Sequence, residues 1–307
     1  MVNLRPTTPE DASDLSALMS AVWNGDRNAV AYHGSGRIPG VWASWNGRAL
    51  GYAFVRRGTL HPKHLYVGVH VHPDARRQGL GAALWEAVTE GVTGSLKTAT
   101  YADFPDAVRF LERRGLRVTV ETHEPTLDLA SLNAVQVDHW AEAARARGYD
   151  LQPITVLDGP EARRDLAHLH LKVYAHTHEH DPPAGISLED AEDDFLGDDL
   201  NPAWLWGARR GRELAGVASV RTTDQPSCGE LGWFGVVAEH QANGAAVTLA
   251  LTTLALSAAR RDGVREVTAE LDSADSNALH LLGALPWERG RVWLTLTSPH
   301  VQPVSLG

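Results

Sequence analysis

A β-rich run that halts at a proline and passes through two glycines into a helix-forming run sets the local geometry of this chain more tightly than any other stretch. It reads Val69-His70-Val71-His72-Pro73-Asp74-Ala75-Arg76-Arg77-Gln78-Gly79-Leu80-Gly81-Ala82, and Ala83-Leu84-Trp85-Glu86-Ala87-Val88 continues as a helix. Glycine at 79 and 81 removes the Cβ atoms that would hold a ligand off the backbone. The successive N–H groups, backed by the positive end of the helix dipole, then suit a pyrophosphate. A Rossmann fingerprint would need Gly-x-Gly-x-x-Gly and an acid about 20 residues on, and a Walker loop would need Gly-Lys-Ser/Thr; neither is present. The plainer alternative is a glycine-bearing turn that happens to open a helix.

The chain then repeats its own order of signals. Leu4-Arg5-Pro6 recurs as Leu151-Gln152-Pro153, each ahead of a proline-initiated helix, with Thr8 and Pro9 starting the first and Gly159 and Pro160 the second. Apolar residues follow at helical spacing: Ala12, Leu15, Leu18, Met19 and Val22 in one copy, Ala162, Leu166, Leu169 and Val173 in the other. A hairpin comes next, turning at Asn46-Gly47 and again at Arg210-Gly211. The glycine loop has its counterpart in Gln241-Ala242-Asn243-Gly244-Ala245-Ala246, ahead of a long apolar helix to Arg260. A third strand (Ser95 to Tyr101; Val264 to Leu271), a second helix and closing strands complete each copy.

Strand, Pro-x-x-Arg-x-x-Gly-x-Gly, helix, met once in full and once in degenerate form, resembles the acyl-CoA loop of the GNAT superfamily of N-acetyltransferases. The duplication is similar to tandem, mycothiol-synthase-like members. The resemblance implies an α/β (α+β) fold of two tandem GNAT-like acyl-CoA N-acyltransferase domains, each a mixed central sheet flanked by helices. Expected boundaries are 1–130, a linker helix over 131–150 that ends at Gly148, and 151–307.

Bulk properties narrow the partners. The chain has 307 residues, 43% hydrophobic and 21% charged, enough apolar material for two cores. Its formal net charge of −10 argues against a nucleic-acid binder, which needs clustered Lys and Arg. The apolar segment Val247 to Ala259 falls short of the roughly 20 residues of a membrane span, so no membrane partner is expected. The start Met1-Val2-Asn3-Leu4-Arg5-Pro6 lacks the pattern of a signal peptide, and the single Cys228 excludes an intrachain disulfide; a cytoplasmic location is the expectation.

The second copy carries an insertion between its first helix and its hairpin, inside a window from Val173 to Ala208 free of Lys and Arg. It contains His176, His178, His180 and Asp181, read as candidate substrate contacts. An i, i+2, i+4 spacing converges on one face only in an extended strand, where imidazoles would suit zinc or copper; the alternative is a solvated loop, and no metal is expected. Ser187 with Asp190 resembles a capping box. The negative charge would steer a cationic amine.

The resemblance implies acetyl-CoA as cosubstrate and a small-molecule or peptide amine as acceptor. Its coenzyme contacts map to Val69, His70, Val71, Arg76, Arg77, Gln78, Gly79, Leu80, Gly81 and Ala82, and in the second copy to Gly235, Val236, Gln241, Asn243, Gly244, Ala245, Ala246 and Asn277. Some members place a glutamate eleven residues before the first motif residue. That position is Glu230 in copy two and Leu65 in copy one, where His70 and His64 are the nearest titratable groups. The tyrosine that protonates the departing thiolate in the family falls on Leu111 and Ala284, so neither copy holds the whole equipment. Glu230 and His70 are the catalytic candidates. A catalytically silent acyl-CoA-binding protein, or a module built on the His-rich acidic segment, is the competing reading.

Overall fold

A computed structural model describes residues 3–34, 39–58, 60–154 and 160–299. The chain forms two compact units, neither of them a continuous stretch. The first gathers the described residues within Met1–Thr98, Phe110–Arg117 and Leu296–Gly307; the second gathers Ala99–Arg109 and Val118–Thr295.

The first unit opens with β1 (Asn3–Pro6), α1 (Ala12–Val22), α2 (Arg27–Tyr32), β2 (Val41–Trp45), β3 (Arg48–Arg57), β4 (Leu65–Val71) and α3 (Leu80–Thr89). Thr8 and Asp11 form a reciprocal capping box that starts the chain into α1. Asn46 and Gly47 both take positive φ (50° and 77°), the twist a two-residue hairpin needs. Strands β1 to β4 pair antiparallel in sequence order. Strict alternation sorts the sheet's faces. Ala43, Ala53, Val69 and Val71 meet Leu80 and Leu84 of α3, while Tyr52, Phe54 and His70 face the other way, toward Trp23 just beyond α1. A Cβ on Gly51 would stand 2.7 Å from Leu84 Cδ1, so that glycine lets α3 lie close on the sheet.

Next in the chain come β5 (Leu96–Tyr101), α4 (Pro105–Glu112), β6 (Arg117–His123), β7 (Thr126–Asp128), α5 (Ala134–Arg145) and β8 (Asp150–Pro153). Helix α5 occupies the stretch expected to be an alanine-rich linker helix, with Asn133 capping its start and Gly148 at φ 87° just past its end. Then follow α6 (Pro160–Thr177), α7 (Leu188–Phe195), β9 (Leu200–Arg210), β10 (Glu213–Thr222) and β11 (Cys228–Val236). Helix α8 (Gly244–Arg261), β12 (Glu266–Thr268), β13 (Leu271–Asp272), α9 (Ser276–Ala284) and β14 (Val292–Thr297) complete the order. The cap expected at Gly159 lies outside the described residues.

The second unit's main sheet has the order β7-β12-β11-β10-β9-β8, parallel only between β11 and β12. Helix α8 covers one face, with Leu249, Ala255, Leu256 and Ala259 in a core with Leu231, Val267, Ala269 and Leu271. The helical segment Ala238–Arg261 is long and apolar enough to cross a membrane, correcting the shorter apolar span read from the sequence. Most of it is buried inside the fold, as a core helix must be. The expected single strand Val264 to Leu271 is broken. β12 pairs with β7 and β11, whereas β13 turns away to pair with β6, so Ala269 and Glu270 sit between two ladders.

Candidate functional site

In the first unit the loop after β4 holds an open row of amides. Arg77 and Gly79 both take left-handed φ (64° and 83°), and the helix hydrogen bonds begin with Ala82 and Ala83 N–H on Gly79 O. The N–H groups of Gln78, Gly79, Leu80 and Gly81 have no backbone acceptor among the described residues. Open amides beside a helix terminus have the geometry that suits an anion. The two glycines differ in their reasons. Gly79 serves the backbone, since a Cβ there would meet nothing. Gly81 also serves packing, since a Cβ there would come 3.2 Å from Phe110 and 3.6 Å from Val71. Arg76 is turned back on the strand, its Nε donating to Val71 O.

Beside this loop β4 and β5 part. Their parallel ladder holds only Leu65↔Leu96 and Tyr66↔Lys97. His72 N–H donates to Leu50 O, so by the period of the strand the N–H of His70 also faces β3. Val69 and Val71 then aim their N–H groups at the edge where β5 has left. Of the expected run Val69 to Val71, only the two valines can offer an amide to a ligand.

The side chain of His70 lies in an aromatic box. Its ring centroid is 4.8 Å from His33, 6.0 Å from Trp23, and 6.1 Å from both Tyr52 and Phe54. Burial pushes its pKa down to about 3. Such an imidazole stays neutral at physiological pH but is a feeble base for an ammonium, so the geometry does not suit the role expected of it.

The second unit inverts these properties. Ala238–Asn243 is a 3-10 helix that runs straight into α8, and Gly244 N–H is already bonded to Gln241 O. A Cβ on Gly244 would lie 2.7 Å from Asn277 Oδ1 and 2.8 Å from Gln241 Oε1. Asn277 Nδ2 donates to Gln241 Oε1 (3.2 Å) and Gln241 Nε2 to Ser276 Oγ (3.0 Å), closing the place where the first unit is open. Tyr149 and the buried His240 hold the 3-10 turn from beneath, with Asn243 Nδ2 also reaching Tyr149 Oη at 3.5 Å. Ala245 and Ala246 stand in the first turn of α8.

The fork itself is retained. The β11–β12 ladder ends at Glu230↔Thr268, and beyond it β11 carries a bulge opposite Ser219. Val237 N–H donates to Ala215 O, so Gly235 N–H faces β10 while Phe234 and Val236 point to the fork. These are the counterparts of Val69 and Val71; Gly235, like His70, is turned inward. Gly235 has φ 137° and Val173 close against it, which excludes a side chain.

Glu230 stands on the last rung, on the face opposite α8. Burial raises its pKa, with Arg221 lowering it and Asp199 raising it. Glu270 escaped the sequence reading because it lies inside a run taken as one strand; only the break between β12 and β13 exposes it. Crowding by protein, then the charges of Glu230, Glu124 and Asp272, raise its pKa to about 7. Both glutamates are nonetheless exposed to solvent. The wall on this face is aromatic: Trp233 packs edge-on to Phe195 (4.7 Å) and Tyr174 (5.2 Å), and His170 stacks on Phe195.

His176 lies in the last turn of α6, and His178 and His180 lie in the turn after it, so the extended spacing that a metal reading requires is absent. His176 pairs with Glu179 (2.9 Å), and His178 stacks on Tyr174 at 4.0 Å. Asp181 is buried in the same turn, its N–H on His178 O. Among the described residues no group of three or more such side chains could hold a metal. His176 does reach the site electrostatically, lowering the pKa of Asp275, which burial raises.

Two mixed sheets, each split between one pair of parallel strands beside the segment that opens a helix, define an acyltransferase class of fold. The chain belongs to the acetyltransferase (GNAT) family, whose model matches it twice, over residues 9–116 and 165–284. No curated protein matches it. Among solved structures it is similar to a GCN5-related N-acetyltransferase from Sphaerobacter thermophilus, with a TM-score of 0.67 and 20% identity over 98% of this chain and 97% of that one. It is also similar to a tandem GNAT protein from the clavulanic acid biosynthesis pathway, with a TM-score of 0.61 and 20% identity over 98% and 99%. A fungal glucosamine N-acetyltransferase region matches with a TM-score of 0.64 and 15% identity, over 97% of this chain and 38% of that one. At these identities the likeness is one of fold.

Proposed function

We propose that the protein is an acetyl-CoA-dependent N-acyltransferase that acetylates a primary amine of a small molecule or peptide, with the chemistry in the second copy of the fold. The observation that carries this is Glu230 on the last rung of the β11–β12 ladder, a carboxylate at the point where the strands part. Among the described residues the first copy has no carboxylate on its ladder: the last rung is Tyr66↔Lys97, Leu65 stands one rung before it, and the His70 box fills the neighbouring face. The two copies are read as modules 1–130 and 151–307, with a linker helix in 131–150.

In the reaction the thioester carbonyl accepts a hydrogen bond from an outward N–H of β11, Phe234 or Val236. Such a donor is worth about 2.7–4 kcal/mol where developing charge is shielded from water. The acceptor ammonium gives up a proton to a carboxylate at the fork, its nitrogen attacks the thioester carbon, and the C–S bond breaks with its electron pair on sulfur; of the two protons nitrogen loses, one ends on the thiol and one in solvent. Pyrophosphate can enter the second copy only once Gln241 and the buried Asn277 move off Gly244 and the loop gives up the Gly244 N–H bond to Gln241 O. The first copy needs no such change and holds acetyl-CoA on the amides of Gln78 to Gly81 without turnover. A cationic acceptor suits the acidic α7 (Leu188–Phe195), and a cytoplasmic location belongs to the same reading.

The closed loop of the second copy favours one alternative: an acyl-CoA-binding protein that performs no transfer. Calorimetric titration with acetyl-CoA, combined with free-thiol detection across a panel of amines, separates the two. The transferase reading requires thiol release with at least one amine. Binding without release on any of them supports the silent protein, and no binding at all removes both.

A further inference from the structure

The geometry points to Glu270 as a second catalytic carboxylate that works with Glu230 on the protons of the transfer reaction. This rests on the transferase reading of the second copy. The placement comes from the sheet. Val267, Ala269 and Leu271 are buried against α8, so the alternate side chains Thr268, Glu270 and Asp272 lie on the opposite face. Leu231 is likewise in the α8 core, which puts Glu230 on that same opposite face. Glu230 is level with Thr268, and Glu270 follows two residues later, where β12 has ended and the chain swings toward β6. The two carboxylates therefore stand on either side of the fork.

The chemistry asks for a pair. An ammonium nitrogen must lose two protons to become an amide nitrogen, one before it attacks the thioester carbon and one as the N–C bond is completed. The C–S bond breaks with its electron pair on sulfur, and one proton returns there; the other leaves to solvent. The family's tyrosine is missing from the second copy, where Ala284 falls at its position. A carboxyl group that has just received a proton can return it to the thiolate, and both glutamates are open to water for the one released. Glu270 is suited to the exchange because Glu230 on β11, Glu124 before β7 and Asp272 on β13 all face it with negative charge. Arg221, the cation that faces Glu230, is held by both Asp199 oxygens (2.5 and 2.6 Å) and the Phe195 carbonyl.

The test uses full-length protein and two readouts. Carboxyl-carbon NMR titration of the wild type should show a glutamate titrating near neutral pH that is absent in Glu270→Gln and moves toward the ordinary range in Glu230→Gln. Thiol release from acetyl-CoA, measured against pH with cadaverine, glucosamine and lysine methyl ester, should fall on the order of 10²-fold or more in Glu270→Gln, as for loss of a proton-transfer group. The acidic limb of the pH profile should shift with Glu230→Gln. If wild-type protein releases no thiol with any of these amines, the pair is overturned together with the transferase reading. If it does and Glu270→Gln keeps the wild-type rate and profile, or no glutamate titrates near neutral pH, the pair alone is overturned.

Discussion

Glu230 and Thr268 face one another across the final rung of the parallel β11–β12 ladder in the second unit's main sheet. One residue further on, β11 is free of β12. A carboxylate at that point is anchored by strand geometry yet borders the opening, which is the position a proton acceptor needs. Glu230→Gln preserves shape and removes basicity. We expect thiol release to fall by 10²–10⁴-fold with acetyl-CoA affinity unchanged, read from steady-state rates and calorimetry.

Gly79 is the residue whose replacement should isolate the coenzyme loop. Its φ of 83° disfavours any side chain, and Gly79→Glu adds an anion where phosphate would sit. There is open space around the position, so the fold should persist. Titration with acetyl-CoA should lose one site per chain. Gly244→Glu, by contrast, drives a Cβ into Asn277 and Gln241 and should lower the melting temperature by several degrees.

Glu270 should make stability depend on pH in a definite direction. Its pKa is raised from 4.5 to about 7, so across that window the folded chain keeps a proton that the unfolded chain releases. Stability therefore falls as pH rises from 4.5 to 7 and stays lower above it. Glu270→Gln should melt with the wild type at pH 4.5 and above it at pH 8. Equal melting temperatures at pH 8 would contradict the shift.

His170 should act at lower pH. Burial, aided by Arg221, lowers its pKa from 6.5 to about 3, so the unfolded chain binds a proton that the folded chain refuses. The sign is opposite to that of Glu270: stability is intact above 6.5 and is lost as pH falls toward 3. The slope from one such group is about 1.4 kcal/mol per pH unit. His170→Phe keeps the ring against Phe195 and should flatten that slope in urea denaturation series at pH 7, 5 and 4.

Much of this architecture is legible along the chain because it rests on local rules. Thr8 and Pro9, Asn46-Gly47, Ser187 with Asp190, and Gly79 each encode a backbone geometry within a few residues, and period-two and period-3.6 burial encodes the faces. Their repetition in one order announces a doubled fold. The site depended on contacts that no local rule contains. His70 reads as a titratable group, but the rings of Trp23, His33, Tyr52 and Phe54, brought in from other elements, desolvate it. Gly244 reads as a second open loop, but Asn277, from a helix beyond α8 in the chain, fills its space. Glu270 reads as part of a strand, and only the departure of β13 to β6 sets it at the fork. Backbone preferences act between neighbours in sequence; dielectric environment and steric occupancy are set by whatever the fold carries in from afar.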